Sequence, residues 1–159
     1  MSAYIGIDPG AHGALCRIDG DAIEVIDLPY VDGYVDARSV FEWLRARPGG
    51  VVVIEKQTKQ GGGGVKKIDG RFVTVNANVA TVATQWCNYG MLRAVLSLEG
   101  HRFEEVAAAR WKAALGLSRD KRQSVDAARR LWPGETWLVS KDGRAEAALL
   151  AEFGRRKNL

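Results

Sequence analysis

Tyr4-Ile5-Gly6-Ile7-Asp8-Pro9-Gly10 is an apolar run that delivers a single carboxylate into a Pro-Gly turn. A β-branched stretch of this length closed by turn residues predicts a strand, and its last side chain, Asp8, stands at the strand's end. Val51-Val52-Val53-Ile54-Glu55 repeats the pattern, a fully apolar strand ending in an acid. Continuous rather than alternating hydrophobicity predicts the interior of a sheet covered on both faces. Two more acids, Asp142 and Glu146, open a helix-like segment and, four residues apart, share one face of it.

The rest of the chain supplies elements around these positions. Ala14 to Ile18 and Ala22 to Leu28, separated by Asp19-Gly20-Asp21, predict a hairpin that completes an opening three-strand meander. Asp36 is placed to cap a helix carrying Val40, Phe41 and Leu44, stopped before Pro48-Gly49-Gly50. From Asn76 to Leu98 apolar and small residues, Val79, Ala80, Ala83, Trp86, Cys87, Gly90, Met91, Ala94, Val95 and Leu98, recur at helical spacing. Arg102 to Val106 predicts a short strand, followed by helices near Ala107 to Leu115 and Asp120 to Leu131 and a last one from Asp142. Strands first, then strand and helix in alternation, predict an α/β fold with a mixed sheet flanked by helices. No internal repeat is present, and 159 residues suit one domain over 1–159.

Residues 57–72 are rich in Gly and Lys, with four consecutive glycines at 61–64, and predict a flexible loop. A nucleotide-cradling phosphate loop is excluded, because the Gly-Lys-Ser/Thr ending is absent. Flexible glycines with Lys56, Lys59, Lys66, Lys67 and Arg71 suit a segment that folds over a DNA backbone; a merely solvated loop is the alternative. The net charge of +4 favours polyanion partners only weakly by itself. No stretch approaches the roughly 20 apolar residues of a membrane span, and Met1-Ser2-Ala3 runs into a strand without a signal-peptide pattern, so a cytoplasmic protein is expected. Cys16 and Cys87 lie far apart in apolar runs and are expected in the core, not in a disulfide or metal site.

Four carboxylates from three distant segments point to hard divalent cations. Cleavage of a phosphodiester by two metals uses oxygen ligands around ions roughly 3.5 to 4 Å apart, one activating water and the other stabilising the leaving oxygen. Asp8 and Glu55 converge if their strands are neighbours, about 4.8 Å apart. For Asp142 a helix cap is an equal alternative. Glu146, set among Ala145, Ala147, Ala148, Leu149 and Leu150, is expected to face inward.

Taken in order, Ile5-Gly6-Ile7-Asp8-Pro9-Gly10, Val53-Ile54-Glu55, Trp111-Lys112 with Leu115-Gly116-Leu117, Asp120-Lys121 and Asp142-Gly143-Arg144-Ala145-Glu146-Ala147 resemble the RuvC-like Holliday junction resolvases of the RNase H-like superfamily, in particular compact phage-type members. The resemblance implies a five-stranded mixed sheet, a homodimer, and symmetric nicking of four-way DNA junctions. It implies a metal-dependent endodeoxyribonuclease with Mg2+ or Mn2+, two per active site, held by Asp8, Glu55, Asp142 and Glu146. It also implies phosphate contact or transition-state stabilisation by Lys112 and Lys121. Independently, a Lys at a helix start beside the scissile phosphate supplies charge where negative charge develops. Two departures stand out. The terminal acids are four apart around Gly143, where bacterial relatives place them three apart, and Thr58 occupies the position of a junction-stacking Phe. Phe72 is a candidate replacement, with packing as its simpler role.

Two alternatives remain open at this stage. The same fold can act on branched DNA generally or on RNA/DNA hybrids, and a catalytically silent junction-binding module would keep the surface without the chemistry. A two-lobed actin-like ATPase shares the opening strand and turn but needs a much longer chain. The small residues Ala80, Ala83, Cys87, Gly90 and Ala94 form the candidate dimer face.

Overall fold

A computed structural model describes residues 3–58, 64–75, 79–135 and 142–159. In chain order it has β1 (Tyr4–Asp8), β2 (Ala14–Asp19), β3 (Ala22–Asp27), β4 (Tyr30–Val31), β5 (Tyr34–Val35), α1 (Ala37–Arg45) and β6 (Val51–Glu55). There follow β7 (Gly64–Ile68), β8 (Arg71–Val75), α2 (Val79–Glu99), β9 (Arg102–Val106), α3 (Ala108–Ala114), α4 (Lys121–Leu131) and α5 (Asp142–Lys157). Five strands form one mixed sheet in the order β3-β2-β1-β6-β9. β1 is antiparallel to β2 and parallel to β6, and β6 is parallel to β9. The meander, the buried central strands and the flanking helices expected from sequence are all present.

Both central strands are apolar throughout because both of their faces are covered. Ile5, Ile7, Val52 and Ile54 point into a core closed by Val40, Trp43 and Leu44 of α1 and Leu92, Val95 and Leu96 of α2. Tyr4, Val51 and Val53 point the other way, toward Ala147, Ala148, Leu150, Ala151 and Phe153 of α5. That second face is packed unusually close. A Cβ on Gly6 would sit 1.9 Å from the carbonyl oxygen of Ala147 and 2.5 Å from the amide nitrogen of Ala151, so β1 and α5 meet backbone to backbone. Only glycine in the strand and alanines in the helix permit this approach. Every residue of α5 from Gly143 to Gly154 is buried except Arg144.

Capping by Asp36 follows the sequence expectation, and Asp120 caps a second helix. The Asp36 carboxylate accepts from the backbone N–H groups of Arg38 and Ser39, and that of Asp120 from Arg122.

Three expectations need correction. Residues 64–68 and 71–75, which overlap the expected loop at 57–72, form a hairpin, its turn Asp69-Gly70 with φ of 48° and 80°. Such paired positive φ values belong to the type I′ turns that join tightly twisted strands. The inward face of α2 is Asn88, Tyr89, Leu92, Val95 and Leu96, which shares Val95 with the stripe that apolar spacing suggested but is rotated from the rest of it. Asn88 belongs inside because its side-chain oxygen accepts the Val35 N–H at 2.9 Å. Cys87, on the opposite face, is therefore exposed, whereas Cys16 is buried as expected.

Candidate metal-ion site

The register of β1 against β6 pairs Gly6 with Val53 and Ile7 with Ile54, so Asp8 and Glu55 end neighbouring strands at the same level. Side chains alternate along a strand, so Asp8 shares the face of Tyr4 and Gly6, and Glu55 that of Val51 and Val53. This is the face covered by α5, which brings Asp142 in its first turn and Glu146 one turn later. Four acids from three segments thus gather at one end and on one side of the sheet. Gly143 makes the closeness possible: a Cβ there would lie 1.9 Å from the His12 carbonyl oxygen and 3.2 Å from Asp8 Oδ2.

Each acid is held by a distinct partner. Gly10 N–H donates to Asp8 Oδ1 at 2.9 Å, fixing the carboxylate through the Pro-Gly turn. That turn is braced by the Tyr30 hydroxyl, which donates to the Gly10 carbonyl at 2.7 Å. Trp111 is fully buried, and its indole N–H donates to Glu55 Oε2 at 2.8 Å. Glu146 is buried and takes two donors on Oε1, the Lys112 ammonium at 2.6 Å and the Ser124 hydroxyl at 3.2 Å. Asp142 pairs with the Lys121 ammonium at the site's rim.

The electrostatics reflect crowding of like charge. Burial pushes the Asp8 carboxyl up to about 7; the Gly10 N–H opposes this, while Glu146, Glu55 and Asp142 add to it. Glu55 is also raised, first by burial, with Trp111 opposing and Glu146 assisting. At Asp142 burial pulls upward, yet the Lys121 hydrogen bond and charge together hold the carboxyl below its usual value. The phenol of Tyr30 is pushed up to about 12 by burial and by Asp8. Such a cluster has more negative charge than its two ammoniums neutralise, and its donors are hard oxygens, the chemistry that suits Mg2+ or Mn2+. Among the described residues, no three acidic, His or Cys side chains are drawn together as a ready-made ion cage. Lys112 and Lys121 instead hold two of the acids as counter-ions.

The basic residues expected at nucleic acid divide into groups. Lys121 is exposed at the rim, as a phosphate-facing role requires, and Lys56 is exposed just beyond Glu55. Arg71 is exposed at the start of β8. Lys66 and Lys67 are placed on β7, and Lys59 lies outside the described residues. Lys112 departs from expectation: its side chain is only 11% exposed and its ammonium is committed to Glu146, not offered to solvent. Trp111 and Ser124 contact the acids although sequence reading gave them no site role. The Trp111-Lys112 pair carried a signal, because both side chains reach acids, whereas nothing local singles out Ser124.

No protein-family model and no curated protein sequence matches the chain. Solved structures share its fold, two of RuvC among them. Thermus thermophilus RuvC in complex with a Holliday junction substrate matches with a TM-score of 0.60 at 16% identity, over 98% of this chain and 96% of that one. A second Thermus thermophilus RuvC structure matches with a TM-score of 0.59 at 16% identity and the same coverage. The likeness suggested by short motifs therefore extends over the whole RNase H-like fold.

Proposed function

We propose that this chain is a Holliday junction resolvase, a structure-selective endonuclease that nicks four-way DNA junctions symmetrically. The observation that carries the reading is the gathering of Asp8, Glu55, Asp142 and Glu146 on one face at one sheet end, in a fold shared with RuvC. The whole chain acts as one nuclease domain, with its two terminal acids spaced around Gly143 in the compact phage-type manner.

Asp8, Glu55, Asp142 and Glu146 would hold two Mg2+ or Mn2+ ions, which when bound supply an activated water and Lewis acidity at the leaving oxygen. The chain's own groups prepare that site. Gly10 N–H and the Trp111 indole orient Asp8 and Glu55, and Lys112 with Ser124 orients Glu146. Lys121 stands at the open edge, where its ammonium steadies the negative charge that builds on the phosphoryl oxygens during in-line attack. Hydrolysis leaves a 3′-hydroxyl and a 5′-phosphate.

A four-way junction has approximate two-fold symmetry, so a C2 dimer presents one site to each of two like strands. Ala80, Ala83, Cys87, Gly90 and Ala94 of α2 are all exposed and form our candidate dimer face. Val79 and Leu98, 80% and 79% exposed, lie at the two ends of the same helix.

The test is cleavage of a labelled synthetic junction with Mg2+ or Mn2+, comparing wild type, Asp8→Asn, and duplex and hybrid controls. Paired symmetric nicks, abolished in Asp8→Asn while binding persists, are expected. Binding without metal-dependent cleavage would replace the enzyme by a junction-binding module, and preference for the hybrid would reassign the substrate.

A further inference from the structure

Two clefts adjoin the turn that leads into α4. One, of about 490 Å³, is lined by Thr58, Lys112, Ser118 and Arg119. The other, of about 440 Å³, is lined by Lys121, Arg122, Arg129 and Asp142. Between them runs the turn Ser118-Arg119-Asp120-Lys121-Arg122, which is tied down by its own polar groups. Ser118 N–H donates to Gln123 Oε1 at 2.9 Å, Asp120 N–H to Ser118 Oγ at 3.1 Å, and Arg122 N–H to Asp120 Oδ1 at 3.0 Å. Within α4 itself, Arg122 N–H is taken by Asp120 Oδ1 and Gln123 N–H by the Asp120 carbonyl, which leaves the side chains as the main source of anion affinity here.

Many cations of this molecule are committed to ion pairs, such as Arg38 with Glu42, Arg47 with Glu24, Arg144 with Asp27, and Arg155 and Arg156 with Glu152. What distinguishes Arg119 and Arg122 is their place, Arg119 lining one cleft with Lys112 and Arg122 the other with Asp142. Arg119 and Arg122 are exposed, and among the described residues neither is paired with a carboxylate. Two unneutralised guanidiniums, one toward each cleft, on a preorganised turn beside an acid cluster, match a polyphosphate chain crossing that cluster.

Resting on the nuclease reading above, we propose that residues 118–122 form a ridge seating the cleaved strand. Arg119 takes a backbone phosphate on one flank of the scissile group and Arg122 takes one on the other. The ridge fixes the strand's track over the acids and is indifferent to base sequence, because only phosphates are bound.

The experiment measures binding of a fluorescein-labelled four-way junction in EDTA by anisotropy over a series of KCl concentrations. Each lost phosphate contact lowers the slope of log Kd against log [KCl] by about 0.9. The double variant Arg119→Gln/Arg122→Gln is therefore expected to lower it by about 1.8. A control pair, Arg45→Gln/Arg102→Gln, removes the same charge from exposed residues at the far end, where Arg102 pairs with Val51 at the start of β6. Its slope is expected to match wild type. An unchanged slope in the first variant, or an equal fall in both, overturns the ridge. Wild-type cleavage of the junction with Mg2+ or Mn2+ is followed in parallel. Failure of the slope with cleavage intact removes the ridge alone, while wild type that neither binds nor cleaves removes the nuclease reading and the ridge with it.

Discussion

Gly6→Ala isolates the contact on which both the core and the candidate site depend. The added methyl carbon would meet Ala147 O at 1.9 Å and Ala151 N at 2.5 Å, both backbone atoms of a helix that cannot swing aside individually. An ordinary C···O contact is about 3.3 Å, so the helix must withdraw by roughly 1.4 Å or the strand must buckle. Replacing glycine in a strand gains about 0.5 to 1 kcal/mol through the unfolded chain, but overpacking costs about 1 to 3 kcal/mol or more, so destabilisation wins. The shift also carries Asp142 and Glu146 away from Asp8, and a misplacement of about 1 Å is worth about 100-fold in rate. Urea unfolding followed by tryptophan fluorescence, together with junction cleavage, reads both effects. Gly154→Ala provides the graded comparison, because its methyl meets side-chain atoms, Val53 Cγ2 at 2.9 Å and Tyr4 Cδ1 at 3.2 Å, at longer range than the backbone contacts of Gly6. A Gly6→Ala protein within about 0.5 kcal/mol of wild type, or no worse than Gly154→Ala, would refute the close-packing account.

Two further predictions concern the acids. Asp8 binds its proton up to about pH 7 in the folded protein against 3.8 ordinarily, so between about pH 4 and pH 7 the folded state holds more protons than the unfolded one. Stability without metal should therefore fall as pH rises through that window, by about 4 kcal/mol if Asp8 alone responds. Asp8→Asn should flatten the curve and exceed wild type at pH 8 in EDTA while matching it below pH 4; parallel pH profiles in urea unfolding would contradict this. Lys112→Met strands the buried Glu146 carboxylate and should cost about 3 to 5 kcal/mol, a fall in Tm of roughly 10 °C. Lys112→Met/Glu146→Leu should recover most of it, and a single variant melting with wild type would show that the pair carries no stability.

The strands that make the site were legible because two-sided burial writes itself as uninterrupted apolar sequence, and the acids at 8 and 55 mark where that burial ends. Glu146 was legible as inward-facing from its alanine and leucine neighbours. Lys112 was misjudged because its partner is 34 residues away, and nothing in a local stretch distinguishes a snorkelling surface lysine from a buried counter-ion. The phase of α2 was misjudged because a buried Asn88, satisfied by Val35, looks polar and therefore outward. Both small hairpins outside the main sheet were missed, although each turns on the same dipeptide. Asp32-Gly33 and Asp69-Gly70 both take positive φ, and the glycine-rich composition around the second hid a turn signal that was present.

The helix that supplies two of the four acids is also the slab that seals the sheet, and it comes from the far end of the sequence. α5 lies on β1 and β2, with more than 120 residues between the partners. Closing so long a loop is slow and comes late, after local hairpins and helices have formed. During synthesis the strands bearing Asp8 and Glu55 emerge well before Asp142 and Glu146 exist, so a growing chain carries half a charge cluster and an uncovered sheet face. On the proposed function, the full set of four acids is assembled only by the event that buries the core, so a product without α5 has neither a complete candidate site nor a sealed sheet face.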